Sequence, residues 1–471
     1  MHLDSPGFVN RVRELQFLKE AFERPDASLI ILYGRRRVGK TALLREASRR
    51  VSRPTLYHVS VQTTPVDELS RLSSSLAEFF EDPMLRVQPL TSWEAFFTYL
   101  AARGRENSFG IFLDEFPYAV EADPSLPSRL QAAWDQHLDK TSIKIVLCGS
   151  SLGMMERIAL TPSAPLYGRR TGQWKLLPLG PEELSPLLQV ENLAELLEAY
   201  CVVGGVPLYL SRFDPSKALL ENIRHSILTK GSFLYDEVPF LLRSELRTPH
   251  VYQSILGALA NGSRKFSEIS SKSGLDKAHL TRYLSILAEL DLVTREVPVT
   301  EERPEKSRKG IYRITEPFVD FWYRFVFPHR DLLELGEVDR VFERELVPQF
   351  HDFVARSVEP FVGSHFRTRW KDLVPFSIAF QGRHWSAGEE FDWVLLDRDR
   401  SHAVVIEIKW STAPIRGRNV MKDLEHRVQR SEVLGRMRTS FVVVSRAGFG
   451  DAVASTEGYT FIDLSSEPAR V

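Results

Sequence analysis

The chain has 471 residues, 43% of them hydrophobic, with 61 basic residues against 62 acidic ones. Such a length suggests about three domains, and this much apolar content fills several cores, which excludes a disordered chain. The even charge balance excludes a global pull toward nucleic acid or membrane, so any basic surface must be local.

The two cysteines, Cys148 and Cys201, both sit in apolar runs. Neither a disulfide framework nor a cysteine metal site is expected, and the compartment reads as reducing. The N-terminal stretch MHLDSPGFVNRVREL lacks an apolar signal core. No stretch approaches the roughly 20 apolar residues of a membrane span. The expectation is a cytoplasmic protein with no membrane partner.

In chain order, short apolar strands are predicted at Leu29–Tyr33, Thr55–Val61, Phe109–Leu113 and Ile143–Gly149, separated by amphipathic helices such as Val66–Phe80 and Leu126–Leu138. This alternation predicts an α/β domain with a mostly parallel sheet over residues 1–178. Between the first strand and the first helix, Gly34, Gly39, Lys40 and Thr41 fit G-x-x-x-x-G-K-[ST], with Val38 inside the loop. Glycines let backbone N–H groups face a phosphate, the helix start points its positive end at the same anion, Lys40 adds an ammonium, and the Thr41 hydroxyl suits Mg²⁺.

The run FGIFLDEFPY ends a strand on Asp114 and Glu115, one carboxylate for a magnesium shell and one to orient water. The next strand brings Ser150 and Ser151 to the same edge, where a hydroxyl can sense a γ-phosphate. Arg169 and Arg170 follow a glycine and are candidates for stabilising transition-state charge, in their own subunit or a neighbour's. Arg35, Arg36 and Arg37 either line the nucleotide mouth or face solvent.

Residues 179–245 read as a helical lid. Residues 246–310 then give three short helices broken at Asn261-Gly262 and Ser273-Gly274, a β-rich tail, and the charged TEERPEKSRKG. That layout predicts a winged helix with Lys277, His279, Arg282 and Tyr283 on or near its recognition helix, and DNA as a partner.

From 311 to 471 a second α/β module is expected, with strands at Phe391–Leu396, Ala403–Ile408 and Ser440–Val444. Asp392 is read at the start of one strand, and Glu407 and Lys409 on one face of the next. Two carboxylates with a nearby ammonium suit a divalent metal, Mg²⁺ or Mn²⁺, and phosphodiester chemistry, and Glu359 is a further acidic candidate. Arg416, Arg418, Lys422, Arg427, Arg430, Arg436 and Arg438 form either a phosphate-backbone footprint or a solvated helix face with pairs such as Asp423 and Arg427.

The strings FVNRVRELQFL, YGRRRVGKTALL, FLDEF, LCGSSLGMM, APLYGRR, GGVPLYL, YRITEPFVDFWYRFV and VVIEIKW together resemble prokaryotic, mainly archaeal, ATPases of the AAA+/STAND lineage with a restriction-endonuclease-like, PD-(D/E)XK-type C-terminal domain. The resemblance covers nearly the whole chain. It implies that Arg11 and Glu14 belong to an adenine-side motif, Lys40 and Thr41 to Walker A, and Asp114 and Glu115 to Walker B. It puts Ser150 at a sensor position and makes Pro207 a lid residue reporting on nucleotide. Asn10 stands where the family has glycine, and Val12 where it has an acidic residue.

The expected function is therefore an ATP-hydrolysing switch that binds DNA and carries a metal-dependent nuclease-like domain, with self-assembly into an oligomer among its partners. The alternative is a non-cleaving, nucleotide-dependent regulator whose distal fold docks DNA or protein.

Overall fold

The computed structural model describes residues 8, 10–246, 248–386, 388–450 and 458–469. Residues 1–7 and Val9, which contributed to the leader and family-motif readings, lie outside the described residues. The chain packs as two units, one made of Met1–Pro178 together with Val206–Leu208, the other of Leu179–Gly205 together with Tyr209–Val471.

The first unit is built on five strands, β1 (Ser28–Tyr33), β2 (Thr55–Val59), β3 (Gly110–Asp114), β4 (Lys144–Gly149) and β5 (Gly172–Lys175). They pair in the order β2-β3-β4-β1-β5, parallel throughout. β3 and β4 are buried along their whole length, as a parallel sheet covered on both faces requires, and such strands therefore read as continuous apolar runs.

Successive side chains alternate between the faces. Leu29, Ile31, Ile111, Leu113, Ile145 and Leu147 pack under helices Pro65–Phe79, Trp93–Glu106 and Leu126–Gln136. Ile30, Leu32, Phe112, Val146 and Cys148 pack against helices Val12–Glu23 and Lys40–Arg50. Thr64 and Ser92 start two of these helices by accepting the N–H of Asp67 and Ala95 at 3.3 and 3.1 Å.

The expected strands of this unit all form, with ends shifted by one or two residues, and one further strand joins them. β2 stops at Val59, and the N–H of Ser60 turns to the carbonyl of Asp114 at 2.9 Å. β5 was not expected at all: it is a four-residue edge strand, partly exposed, with no apolar run to announce it.

The second unit opens with helices including Leu193–Val203, Leu219–Ile223 and Glu237–Glu245. Helices Pro249–Ala260, Phe266–Ser273 and Lys277–Glu289 come next, followed by the antiparallel pair β6 (Val293–Glu296) and β7 (Ile311–Ile314), so that 300–310 lies between two paired strands. The aromatic run after β7 buries Phe318, Phe321, Trp322 and Tyr323.

A second sheet holds β8 (Phe380–Ser386), β9 (Glu389–Leu396), β10 (His402–Lys409), β11 (Arg438–Ser445) and β12 (Tyr459–Asp463), in the order β12-β11-β10-β9-β8. β8, β9 and β10 pair antiparallel, whereas β10, β11 and β12 pair parallel, with helix Gly417–Arg430 between β10 and β11 in the chain. Asp392 lies in the middle of β9 rather than at its start, because that strand begins at Glu389. The stretch after β6 joins this sheet: Val299 packs with Phe391, Val394 and Leu396, and its N–H donates to the carbonyl of Arg383 at 2.9 Å. Val299 thereby ties 246–310 to 311–471, and the ring contacts Tyr200–Phe361 and Tyr209–Phe318 tie 179–245 to 311–471, so the three parts pack as one unit.

Candidate functional site

β1 delivers the chain at Tyr33 into a loop that ends where helix Lys40–Arg50 begins at Gly39. Gly34 has φ +155°, and a Cβ there would stand 2.3 Å from the carbonyl oxygen of Leu176, so the loop is pressed against the chain leaving β5. Gly39 has φ +97°. The left-handed region admits glycine without the steric cost other residues carry. Val38 is wholly buried, and its carbonyl accepts from the Arg11 guanidinium at 2.9 Å. Arg11 also donates to the Leu177 carbonyl at 2.8 Å and meets Glu14 at 3.1 Å, tying the start of the chain to the loop. The Lys40 ammonium is buried and donates to the carbonyls of Gly34 and Arg35 at 2.9 and 3.0 Å.

Asp114 closes β3 and is buried. Its Oδ2 accepts from the Thr41 hydroxyl at 2.7 Å and from the Tyr57 hydroxyl at 2.6 Å, and its Oδ1 accepts from the Glu115 N–H at 3.0 Å. Burial first, and then the neighbouring Asp114 carboxylate, push the Tyr57 phenol well above its ordinary range. Glu115 sits at φ 52° and receives the Ser150 hydroxyl on both oxygens, at 3.0 and 2.8 Å. Cys148 is wholly buried, its thiol pushed up by that burial and by Asp114, so it is not a reactive thiol. Pro207 lies over the loop, its Cγ 3.8 Å from where a Cβ on Gly39 would stand.

The structure thus gathers Gly34, Val38, Gly39, Lys40, Thr41, Asp114, Glu115, Ser150 and Pro207 in one unit at the carboxyl edge of one sheet. Arg169 is engaged elsewhere, its guanidinium paired with Asp135 at 3.0 and 2.8 Å. Arg36 donates to the Tyr118 hydroxyl at 3.1 Å. A buried ammonium, a hydroxyl set against a carboxylate and a glycine-flanked helix start are a donor set that fits a polyphosphate with a divalent cation. Tyr57 was missed by the sequence reading. Its signal was the alternation in TLYHV, which puts Tyr57 on the same face as Asp114 once β2 and β3 pair with Tyr57 opposite Phe112.

Residues 8–213, which include all of this site, match a family profile for an ATPase domain found predominantly in Archaea. A protein of Methanocaldococcus jannaschii is 31% identical over 430 residues, 91% of this chain and 92% of that protein. The chain belongs to this archaeal-type ATPase family. A second protein of that organism, described as ATP-binding, is 46% identical to it over 52 residues, 11% of this chain and 88% of the other. The chain shares its fold with a Walker-type ATPase of Pyrococcus abyssi, with a TM-score of 0.51 and 22% identity over 67% of this chain and 96% of that one. Residues 322–423 match a second profile, for archaeal and bacterial proteins of unknown function.

In the second unit Asp392 and Glu407 stand on the neighbouring strands β9 and β10. Asp392 accepts the Ile408 N–H at 2.7 Å, and burial and then Glu407 push its carboxyl up from the usual range. Glu407 meets the Lys409 ammonium at 2.6 Å and the Arg427 guanidinium at 3.1 and 3.2 Å. Glu359 lies 3.1 Å from the Arg383 guanidinium, and burial raises its carboxyl too. Among the described residues no group of three or more His, Cys, Asp and Glu side chains is placed to hold a metal ion. Of the basic residues on and after helix Gly417–Arg430, Arg427 also reaches Asp423 at 3.6 Å and Arg430 reaches Glu389 at 2.9 Å. On helix Lys277–Glu289, Lys277 and Arg282 are exposed, His279 pairs with Asp276 at 2.6 Å, and Tyr283 packs on Tyr252 with ring centroids 5.0 Å apart. No helix among the described residues is long and apolar enough to cross a membrane.

Proposed function

We propose that this protein binds ATP with Mg²⁺ and hydrolyses it, working as a cytoplasmic switch of the AAA+/STAND lineage. The observation that carries the reading is the 2.7 Å hydrogen bond from the Thr41 hydroxyl to Asp114, which sets side by side the two groups that magnesium coordination in such a site recruits. Magnesium, when bound, neutralises charge on the phosphates. Lys40 exchanges the Gly34 and Arg35 carbonyls for phosphate oxygens, while backbone N–H groups around Gly39 hold the same oxygens. Glu115 orients the attacking water, and Ser150 positions Glu115 through its paired contact. Arg11 fixes Val38 and so the loop itself. Pro207 rests on Gly39 and follows its displacement. Arg169 serves as the transition-state cation once it leaves Asp135, in its own subunit or a neighbour's. Calorimetric titration of the full chain with ATP and Mg²⁺ tests this: saturable heat is expected, and none at millimolar ATP overturns it.

The same reading extends to the second unit. Three helices followed by an antiparallel strand pair support a winged helix that meets DNA through Lys277, His279, Arg282 and Tyr283. A mixed five-stranded sheet with Asp392, Glu407 and Lys409 at one place supports a PD-(D/E)XK-like domain. One observation favours the non-cleaving alternative: Glu407 already faces Lys409 and Arg427, and a divalent ion must compete with both cations for it. Incubation with plasmid, ATP and Mg²⁺ or Mn²⁺ separates the two. Cutting that disappears in Asp392→Ala supports the nuclease, while absence of cutting together with ATP-dependent self-assembly in light scattering supports the docking platform.

A further inference from the structure

Within the second unit, a cavity of about 150 Å³ has an unusual wall: Arg264, Arg313, Arg324, Arg356 and Arg383 line it, with Asp320 and Glu359 the carboxylates among them. These guanidiniums come from separate places in the chain. Arg264 lies in the turn after helix Pro249–Ala260, Arg313 on β7, Arg324 in the aromatic run, Arg356 on helix Val347–Ser357 and Arg383 on β8.

Their commitments are unequal. Arg313 pairs with Glu296, and Arg383 with Glu390 and Glu359, so those charges are matched. Arg324 donates to the neutral Gln349 at 2.6 Å, and Arg356 uses its Nε on the carbonyl of Asp352 at 3.0 Å. The Arg264 side chain makes no hydrogen bond or ion pair among the described residues; with Arg324 and Arg356 it faces Asp320, and it also faces Glu359, whose carboxyl burial raises. Burial pushes Asp320 up to about 6 although all three arginines and Arg313 pull it down, and it raises Glu359 as well, which weakens the negative charge opposed to them. Several guanidiniums drawn together without matching carboxylates repel one another, and a compact dianion relieves that repulsion while accepting forked hydrogen bonds. A cavity of this size holds a ligand about as large as benzene, which is room for a phosphoryl group and a few attached atoms.

We infer that this cavity is a binding site for a phosphoryl group, separate from the nucleotide loop and independent of the ATPase reading. The group belongs either to a small phosphomonoester or to the 5′ end of a nucleic acid strand.

The test uses the full chain carrying Lys40→Ala, so that the glycine loop does not bind the probe. Calorimetry with inorganic phosphate and with glycerol phosphate is expected to give saturable binding. Adding Arg264→Gln and Arg356→Gln should weaken it about tenfold or more, the loss expected for two charge-assisted bonds. Arg356 is exposed and the Arg264 side chain carries no hydrogen bond, so these changes should leave the melting temperature in place. Should it drop, Arg264→Lys with Arg356→Lys, which keeps the charge and removes the fork, is read instead and must still weaken binding. Oligonucleotides with 5′-phosphate or 5′-hydroxyl ends separate the sources. Preference for the phosphorylated strand, lost with the arginines, identifies a nucleic acid end. Equal affinity for both strands alongside glycerol phosphate binding identifies a small ligand. No saturable binding of any phosphate probe, or binding indifferent to the arginines, overturns the proposal.

Discussion

One oxygen of Asp114 takes two hydroxyl donors, Thr41 and Tyr57, and they differ in what they do. Thr41 lies in the first turn of helix Lys40–Arg50 and, in the proposed function, exchanges this bond for magnesium, whereas Tyr57 sits on β2 and keeps the carboxylate aimed. Tyr57→Phe is expected to lower stability by about 1 kcal/mol, the usual net worth of one hydrogen bond, as a shift in thermal melting. Burial and the Asp114 carboxylate hold the Tyr57 phenol above its ordinary range, so Tyr57→Phe should remove one tyrosine from the late-ionising group in ultraviolet titration, a group that Tyr200, Tyr235 and Tyr323 share. In the proposed function Lys40 serves binding and Glu115 serves chemistry, and variants separate the two. Lys40→Ala is expected to weaken ATP binding by about a hundredfold, as loss of a buried ammonium on phosphate implies. Glu115→Gln keeps its contact with Ser150, so calorimetry should find binding near wild type while phosphate release falls to background.

At the scale of elements, the hairpin joining β9 to β10 turns on Asp397. Burial acts to raise its carboxyl, but the His402 N–H at 3.0 Å, the Ser401 hydroxyl at 2.8 Å, the His402 ring and the Ser401 N–H outweigh it and carry the group from 3.8 down to about 2. A depressed folded-state value means this stability is full above the unfolded value and is lost as pH falls from about 4 through about 2. Acid unfolding of Asp397→Asn should therefore show a shallower pH dependence across that window than the wild type. The elements themselves were unequally legible in the sequence. Ser28–Tyr33 and Gly110–Asp114 are buried on both sides, so their apolar runs announced them, and the strand-loop-helix order around Gly39 announced the loop. β5, β8 and β12 lie at sheet edges, partly exposed, and carried no such run. Tyr57 and the grip of Arg11 on Leu177 depend on register and on contacts between residues 166 positions apart, which spacing alone does not encode.

For the whole molecule, the notable fact is that the first unit is not one continuous length of chain. After Pro178 the backbone enters the second unit, returns for Val206–Leu208, and leaves again. Val206 is wholly buried and Pro207 stands over Gly39, so a fragment ending at 178 lacks both. Such a fragment is expected to melt below the full chain and, in calorimetry, to bind ATP more weakly. Equal affinity would free Gly39 of any dependence on Pro207. The looping course also limits how this protein can be recombined. A designer transplanting the first unit onto another protein must graft two separate lengths of sequence and preserve three junctions, so this unit cannot be exchanged like a bead on a string.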